Sequence, residues 1–282
     1  MIHTLPAFSR SWPGLPPTVA AGHRSTNTPV GDNASQLSEW VVHAWPFHAH
    51  AIASTLWILV LLAQSISIHS RRRPLHRQLG TAIFLLVPLF TAATAMMFQT
   101  LMSSGTGFAG QMGARILVIE GPVLILFPWF AYQALRHRRN PWLHGGWLLA
   151  TPLMLVLSIV TRLDPGEYTT WFAAADDVPG RFGVQVATAS LLVLMSCGWL
   201  YRQAKGRSAP AVTMAIVALL QWGSYHLVDE ASAAQRLAFA VGRQPIALVG
   251  LAGLVVGITA VWFGWQHSVR KPTPAPLVAA SA

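Results

Sequence analysis

Residues that could bind a metal ion or carry a proton occur together in one hydrophobic passage, "FHAHAIASTLWILVLLAQSISIHSRRRPLHRQLG". Imidazole is a common metal ligand and titrates near neutral pH, whereas a glutamine amide only donates and accepts hydrogen bonds. At 100° per residue, His50 and Gln64 share one face of an α-helix, and His48 points to nearly the opposite side. The stripe expected to face the protein interior consists of His50, Ser54, Trp57 and Gln64.

A second group of polar residues is expected at one depth on the outer side of a membrane. "ARILVIEGP" places Glu120 about one and a half helical turns deeper than Arg115. Because these two residues are five positions apart, they share a face poorly, and Arg162 is the expected partner of Glu120. A buried Glu120 is either half of a structural ion pair or part of a functional site. The predicted outer-side cluster consists of His50, Gln64, Arg115, Glu120, Arg162, His226 and Asp229.

Two further histidines are candidates on the inner side. His76 and His144 each begin a segment that runs from inside to outside, and His144 lies about five helical turns before Arg162 on the same face. His50 and His76 are separated by roughly the thickness of a membrane, so they cannot share one ion. The predicted inner-side cluster is therefore the pair His76 and His144.

The composition predicts an integral membrane protein. Of the 282 residues, 53% are hydrophobic and only 10% are charged, where soluble domains carry about 25% charged residues. The lone Cys197 lies in an apolar segment and is expected to pack as a small hydrophobe. Seven segments are long enough to cross a hydrocarbon core of about 30 Å as helices. The predicted all-α seven-helix bundle has spans at Pro46 to Ile68, Leu79 to Leu101, Arg115 to Leu135, Gly146 to Leu163, Val184 to Tyr201, Pro210 to Val228 and Pro245 to Gln266.

The loops between these segments predict the orientation. Loops rich in arginine and lysine alternate with loops that are not, and cytoplasmic loops collect positive charge. The amino terminus is therefore expected outside and the carboxyl terminus in the cytoplasm of a bacterial inner membrane. Residues 1–45 and 269–282 are rich in proline and small polar residues and are expected to be disordered tails. The net charge of +10 is a topology signal, so the expected partner is the lipid bilayer and not nucleic acid.

The sequence resembles an uncharacterised bacterial family of predicted multi-pass membrane proteins over about residues 50–162. The resemblance rests on "HAIASTLWILVLLAQSISIHSRRRPLHRQLG" followed by "ARILVIEGPVLILFPWFAYQALRHRRNPWLHGGWLLA". It implies a helical membrane fold and favours three of the histidines, but it implies no reaction. Gly145 and Gly146 stand where that pattern usually has arginines, which argues against phosphate binding at this turn. The residues that match the pattern are His50, Gln64, Leu75, His76, Arg77, Gly80, His144 and Trp147.

Four function classes fit these residues. In a b-type cytochrome, imidazoles from two spans bind haem iron from both sides, and the candidate pairs are His50 with His226 and His76 with His144. A proton-coupled carrier would use Glu120, Arg162 and His226 in a proton relay or a substrate site, although seven spans do not divide into equal repeats. A zinc hydrolase built from His50, Glu120, His226 and Asp229 lacks an HExxH pair. A non-enzymatic membrane protein is the fourth class, and a small molecule or a redox protein remains open as the partner.

Overall fold

A computed structural model describes residues 32–103, 107–160, 178–206, 208–229 and 232–268. The chain divides into two units, Met1–Val42 and His43–Ala282, and the packing discussed below lies within the second. All regular structure in the described residues is helical. The helices, numbered in chain order, are α1 Asp32–His69, α2 Arg73–Gly80, α3 Ile83–Ser103, α4 Gly107–Arg136, α5 Pro141–Val160, α6 Val178–Gln203, α7 Ala209–Leu227, α8 Ala233–Gly242 and α9 Ile246–Gln266.

Six helical segments within the described part of the chain are long and apolar enough to cross a membrane. Many of their large apolar side chains are exposed on the bundle surface, and α9 is an example, with exposed Leu248, Leu251, Val255, Val256, Trp262 and Trp265. Exposing an apolar surface of this kind costs free energy in water but not in lipid, so it suits a lipid environment. The predicted all-α fold is confirmed, with candidate spans Trp45–His69, Arg73–Ser103, Met112–Arg136, Pro141–Val160, Phe182–Gln203 and Ile246–Gln266.

The seventh predicted segment is helical but differs from the other six. It forms α7, close to the predicted bounds of Pro210 to Val228, yet it is not among the helices that qualify by apolarity. Its carboxyl-terminal part carries Gln221, Ser224 and His226, which lower its mean hydropathy. Length and composition alone therefore support six crossings.

Several helices extend beyond the predicted spans. α1 begins at Asp32, so residues 32–45 of the predicted disordered tail are helical, and Pro46 lies inside the helix and not in its first turn. α4 begins at Gly107 and α5 at Pro141, each several residues early. Backbone hydrogen bonding continues a helix past the apolar stretch, whereas hydropathy marks only the part that lies in hydrocarbon. The predicted end of the fourth span at Leu163 and residues 1–31 and 269–282 of the predicted tails lie outside the described residues.

Two short helices were not predicted. α2 has Pro74 in its first turn, where a missing N–H costs no hydrogen bond, and it is separated from α3 by a turn. α8 begins after Ser232, whose hydroxyl accepts a hydrogen bond from the backbone N–H of Gln235 at 3.3 Å. A search for spans of about 20 residues passes over helices this short.

The basic segments lie at one end of the bundle. Phe84 at the start of α3 contacts Trp265 at the end of α9, with ring centroids 5.5 Å apart. The Arg138 guanidinium lies 3.5 Å from the centroid of the Trp265 ring, and its Nη1 donates to the Trp265 carbonyl at 3.0 Å. The first turns of α5 and α7 meet at this end, which we call the basic end. Its described basic residues are Arg71, Arg72, Arg73, Arg77, Arg136, Arg138, Arg139, Arg202 and Lys205.

Glycines on α9 allow α3 and α9 to pack backbone to backbone. A Cβ built on Gly253 would lie 2.8 Å from the Thr91 carbonyl oxygen, and one on Gly257 would lie 2.5 Å from the Cα of Pro88. A Cβ atom so close to backbone atoms of α3 fits only if the backbone moves, because no flexible side chain at this contact can rotate away. The close approach of α3 and α9 therefore depends on glycine at both positions.

We expect Gly257→Ala to destabilise the protein by on the order of 1–3 kcal/mol, because the added methyl group forces α9 away from Pro88. Thermal unfolding in detergent, followed by tryptophan fluorescence, measures the change. Gly198→Ala on α6 is the matched control, since a Cβ there meets nothing within 4 Å. Equal midpoints for the two variants would contradict tight α3–α9 packing.

Candidate functional site

The polar stripe of α1 faces the bundle interior, as its spacing predicts. Trp57 is 1% exposed and Gln64 is 8% exposed, His50 is half-buried, and His48 on the opposite side is exposed. Burying polar groups against lipid is costly, so this stripe meets partners on other helices.

Three aromatic side chains, including Trp57, pack together at the centre of this stripe. The Trp57 indole N–H donates to the Thr151 hydroxyl of α5 at 2.8 Å, and that hydroxyl donates to the Leu148 carbonyl at 2.7 Å. The Trp57 ring meets Phe127 edge-on with centroids 5.3 Å apart, and Phe127 stacks on Phe90 at 3.9 Å. All three aromatic side chains are essentially inaccessible to solvent. They separate the polar groups at the two ends of the bundle.

His50 is oriented by α3. The Thr94 hydroxyl donates to the Phe90 carbonyl of its own helix at 2.8 Å, so its contact of 2.9 Å with His50 Nδ1 must be one in which the imidazole N–H donates. This contact places a proton on Nδ1. The Ser54 hydroxyl lies 3.4 Å from Nε2 and donates to the His50 carbonyl at 2.7 Å.

His50 lines an open crevice of about 520 Å³ between α1, α3 and α5, which we call the His50 crevice. Its walls are mostly apolar, with Met97 and Leu155 among them, and Ser158 lies on the α5 side. The Ser158 hydroxyl donates to Glu120 Oε1 of α4 at 2.6 Å, and Glu120 is only 6% exposed. Ser158 thus joins a buried carboxyl group to the crevice that His50 lines.

Arg115 and His226 line a different opening, of about 440 Å³, between α4, α6 and α7. The Arg115 guanidinium lies 5.6 Å from the Tyr225 ring centroid, and the His226 ring meets Tyr225 edge-on at 5.2 Å. Arg115 and Glu120 project from different faces of α4, so Arg115 borders this opening whereas Glu120 is buried against Ser158.

The predicted outer-side cluster is therefore divided. His50 and His226 line separate openings, so the structure does not bring together the predicted outer haem pair or the predicted zinc ligands. Asp229 is exposed just beyond the end of α7. Arg162, the expected partner of Glu120, lies outside the described residues.

Both residues of the predicted inner pair lie at the basic end, His76 on α2 and His144 on α5. His144 Nδ1–H donates to the Ala134 carbonyl at 2.8 Å. His76 Nδ1 is buried and has no hydrogen-bond partner.

Gln64 belongs to the basic end and not to the outer-side cluster in which it was predicted. Its Nε2 lies 3.3 Å from the position that a Cβ on Gly80 would take, and its Oε1 is buried without a hydrogen-bond partner. Gly80 is one turn after His76 on the same face of α2. The prediction failed because fourteen residues of helix advance about 21 Å, which carries Gln64 most of the way across a membrane from His50.

Three hydroxyl groups at the site were missed by sequence analysis: Thr94, Thr151 and Ser158. Thr151 and Ser158 lie seven and fourteen residues after His144 on α5, so helical periodicity could have placed His144, Thr151 and Ser158 on one face. In the described part of the chain, no group of three or more His, Cys, Asp or Glu side chains could hold a metal ion.

No family model matches the chain, and no curated protein or solved structure is significantly similar to it. Its function must be inferred from the contacts of its own residues.

Proposed function

We propose that this protein is a proton-coupled carrier of the bacterial plasma membrane that binds a small solute in the His50 crevice. The observation that carries the assignment is the buried Glu120 carboxyl group, which Ser158 links to that crevice. Ionisable groups inside membrane helices are costly and mark ion paths or proton relays in many transporters. A cavity of about 520 Å³ with apolar walls and a few polar groups is also of a size that suits a small molecule.

The proposed chemistry couples solute binding to proton exchange. Thr94 fixes the orientation of the His50 imidazole, and Glu120 supplies a buried carboxyl group. A solute in the crevice would change the solvation of both groups and therefore their affinity for protons. The packed, buried side chains of Trp57, Phe90 and Phe127 would form the barrier between the two ends that a carrier requires. His76 and His144 offer proton-binding groups at the other end.

We expect Glu120→Gln to lower solute-driven charge movement about a hundredfold or more, because a neutral amide cannot exchange a proton. Currents are measured on proteoliposomes adsorbed to a solid-supported membrane and challenged with a panel of amino acids, amines and sugars. Ser158→Ala should reduce the same current less, since Glu120 keeps its carboxyl group but loses one donor.

His69→Gln is the control for this experiment, because His69 is an exposed histidine on the same helix and does not line the His50 crevice. It should retain the current of the natural sequence. A current in Glu120→Gln equal to that of the unsubstituted protein would remove Glu120 from the mechanism. The absence of any current across the panel would argue against a carrier of these solutes.

The proposal includes seven crossings with the amino terminus outside and the carboxyl terminus in the cytoplasm. Pro210 at the start of α7 packs against Gly146 at the start of α5, and Tyr225 near its end packs against Gly183 near the start of α6. α7 thus runs beside two helices of membrane-spanning length over most of their extent. The basic end would face the cytoplasm. We place the chain in the uncharacterised bacterial family that its sequence resembles.

Cysteine labelling tests the seventh crossing. In a Cys197→Ser background, which has no other cysteine, Gln203→Cys and Ala233→Cys place single exposed thiols before and after α7. We expect a membrane-impermeant maleimide to label Ala233→Cys in intact spheroplasts and Gln203→Cys only after permeabilisation. Labelling of both from the same side would mean that α7 does not cross.

A b-type haem at the basic end is the second candidate, since His76 and His144 both lie there and His76 Nδ1 is buried without a hydrogen-bond partner. The Nδ1–H of His144 is held by a backbone carbonyl, which leaves Nε2 as the nitrogen that could bind iron. This candidate requires a Soret band in the purified protein that is lost in His144→Ala. Protein that carries current without such a band would exclude it.

A further inference from the structure

A groove at the basic end lies outside the site described above. It runs between the start of α5, the end of α6 and the start of α7, and it encloses about 170 Å³. A Cβ on Gly145 would meet nothing within 4 Å, whereas Gly146 is closely covered by Pro210. The absence of a side chain at Gly145 therefore keeps this groove open.

The walls of the groove are apolar and face outward from the bundle. Leu149 is 50% exposed and Trp142 is 76% exposed at its edge, and Leu153 and Leu200 line it further in. Water in a groove of this composition would find few hydrogen-bond partners. A hydrocarbon chain, by contrast, gains dispersion contacts with the walls and leaves no polar group unsatisfied.

Basic residues lie next to the lining residues of the groove along the chain. Gln203 and Ala204 line the groove, and Arg202 and Lys205 directly adjoin them as exposed residues at the end of α6. Arg139 is exposed shortly before α5 begins. Among the described residues, no Asp or Glu lies at this end. Basic side chains at the level of the headgroups attract anionic lipids.

We propose that this groove binds one acyl chain of an anionic phospholipid, with the lipid phosphate at Arg202 and Lys205. The exposed Trp142 indole lies at the mouth, where its ring packs on the chain and its N–H meets the headgroup region. This lipid site is independent of the His50 crevice and of whether the protein transports a solute.

The test is native mass spectrometry of delipidated protein titrated with phosphatidylglycerol. We expect Gly145→Leu to abolish the tightest binding event, because the new side chain fills the groove. Gly198→Leu is the matched control, since it adds the same side chain to exposed space on α6 and should bind as the unsubstituted protein does. Equal binding by Gly145→Leu would overturn the proposal.

A second variant tests the headgroup contact without filling the groove. Replacing both Arg202 and Lys205 by glutamine should weaken the same event about tenfold or more, because each basic residue contributes to anionic lipid binding. Both side chains are exposed, so this variant should fold. Phosphatidylcholine should bind the unsubstituted protein more weakly. Equal affinity for the two lipids, or no loss in the double variant, would overturn the assignment of an anionic headgroup.

Discussion

A polar group at membrane depth must find its hydrogen-bond partner within the protein, and this constraint shapes the bundle. Most hydroxyl groups satisfy this constraint by donating to a carbonyl of their own helix. Thr91 donates to the carbonyl of Val87 one turn earlier at 2.8 Å, and other hydroxyls on α3 and α6 do the same. Groups too large for this local solution link helices instead, as the Gln221 amide of α7 does by donating to the Ile119 carbonyl of α4 at 2.7 Å.

α5 carries three of these links between helices. Along one face it presents His144 at the basic end, Thr151 in the middle and Ser158 near the other end, and they engage α4, α1 and α4 in turn. Close packing elsewhere makes this arrangement possible, because the glycines of α9 let α3 approach closely and keep that side of the bundle apolar. The polar groups therefore lie toward α1, where the His50 crevice opens.

The fold was largely predictable, and the departures have physical causes. Six apolar helices and the basic loops follow from composition, because hydrocarbon admits few charges and the loops hold the arginines. α2 and α8 were missed because helices of eight and ten residues are shorter than the apolar stretches that mark a span. α7 was predicted as a helix and is one, but Gln221 and its neighbours lower its apolarity below that of the six candidate spans.

The sequence by itself determined which residues share a helix face, since the rise and rotation of an α-helix are constant. It separated Arg115 from Glu120, and it placed His50 on an inward stripe with Trp57. Only the tertiary structure decided which faces meet. In the structure, the residues of the outer-side cluster lie at two separate openings, and Gln64 lies at the basic end. The Ser158 hydroxyl is hydrogen-bonded to Glu120. Such contacts depend on how helices distant in sequence pack, which no local periodicity specifies.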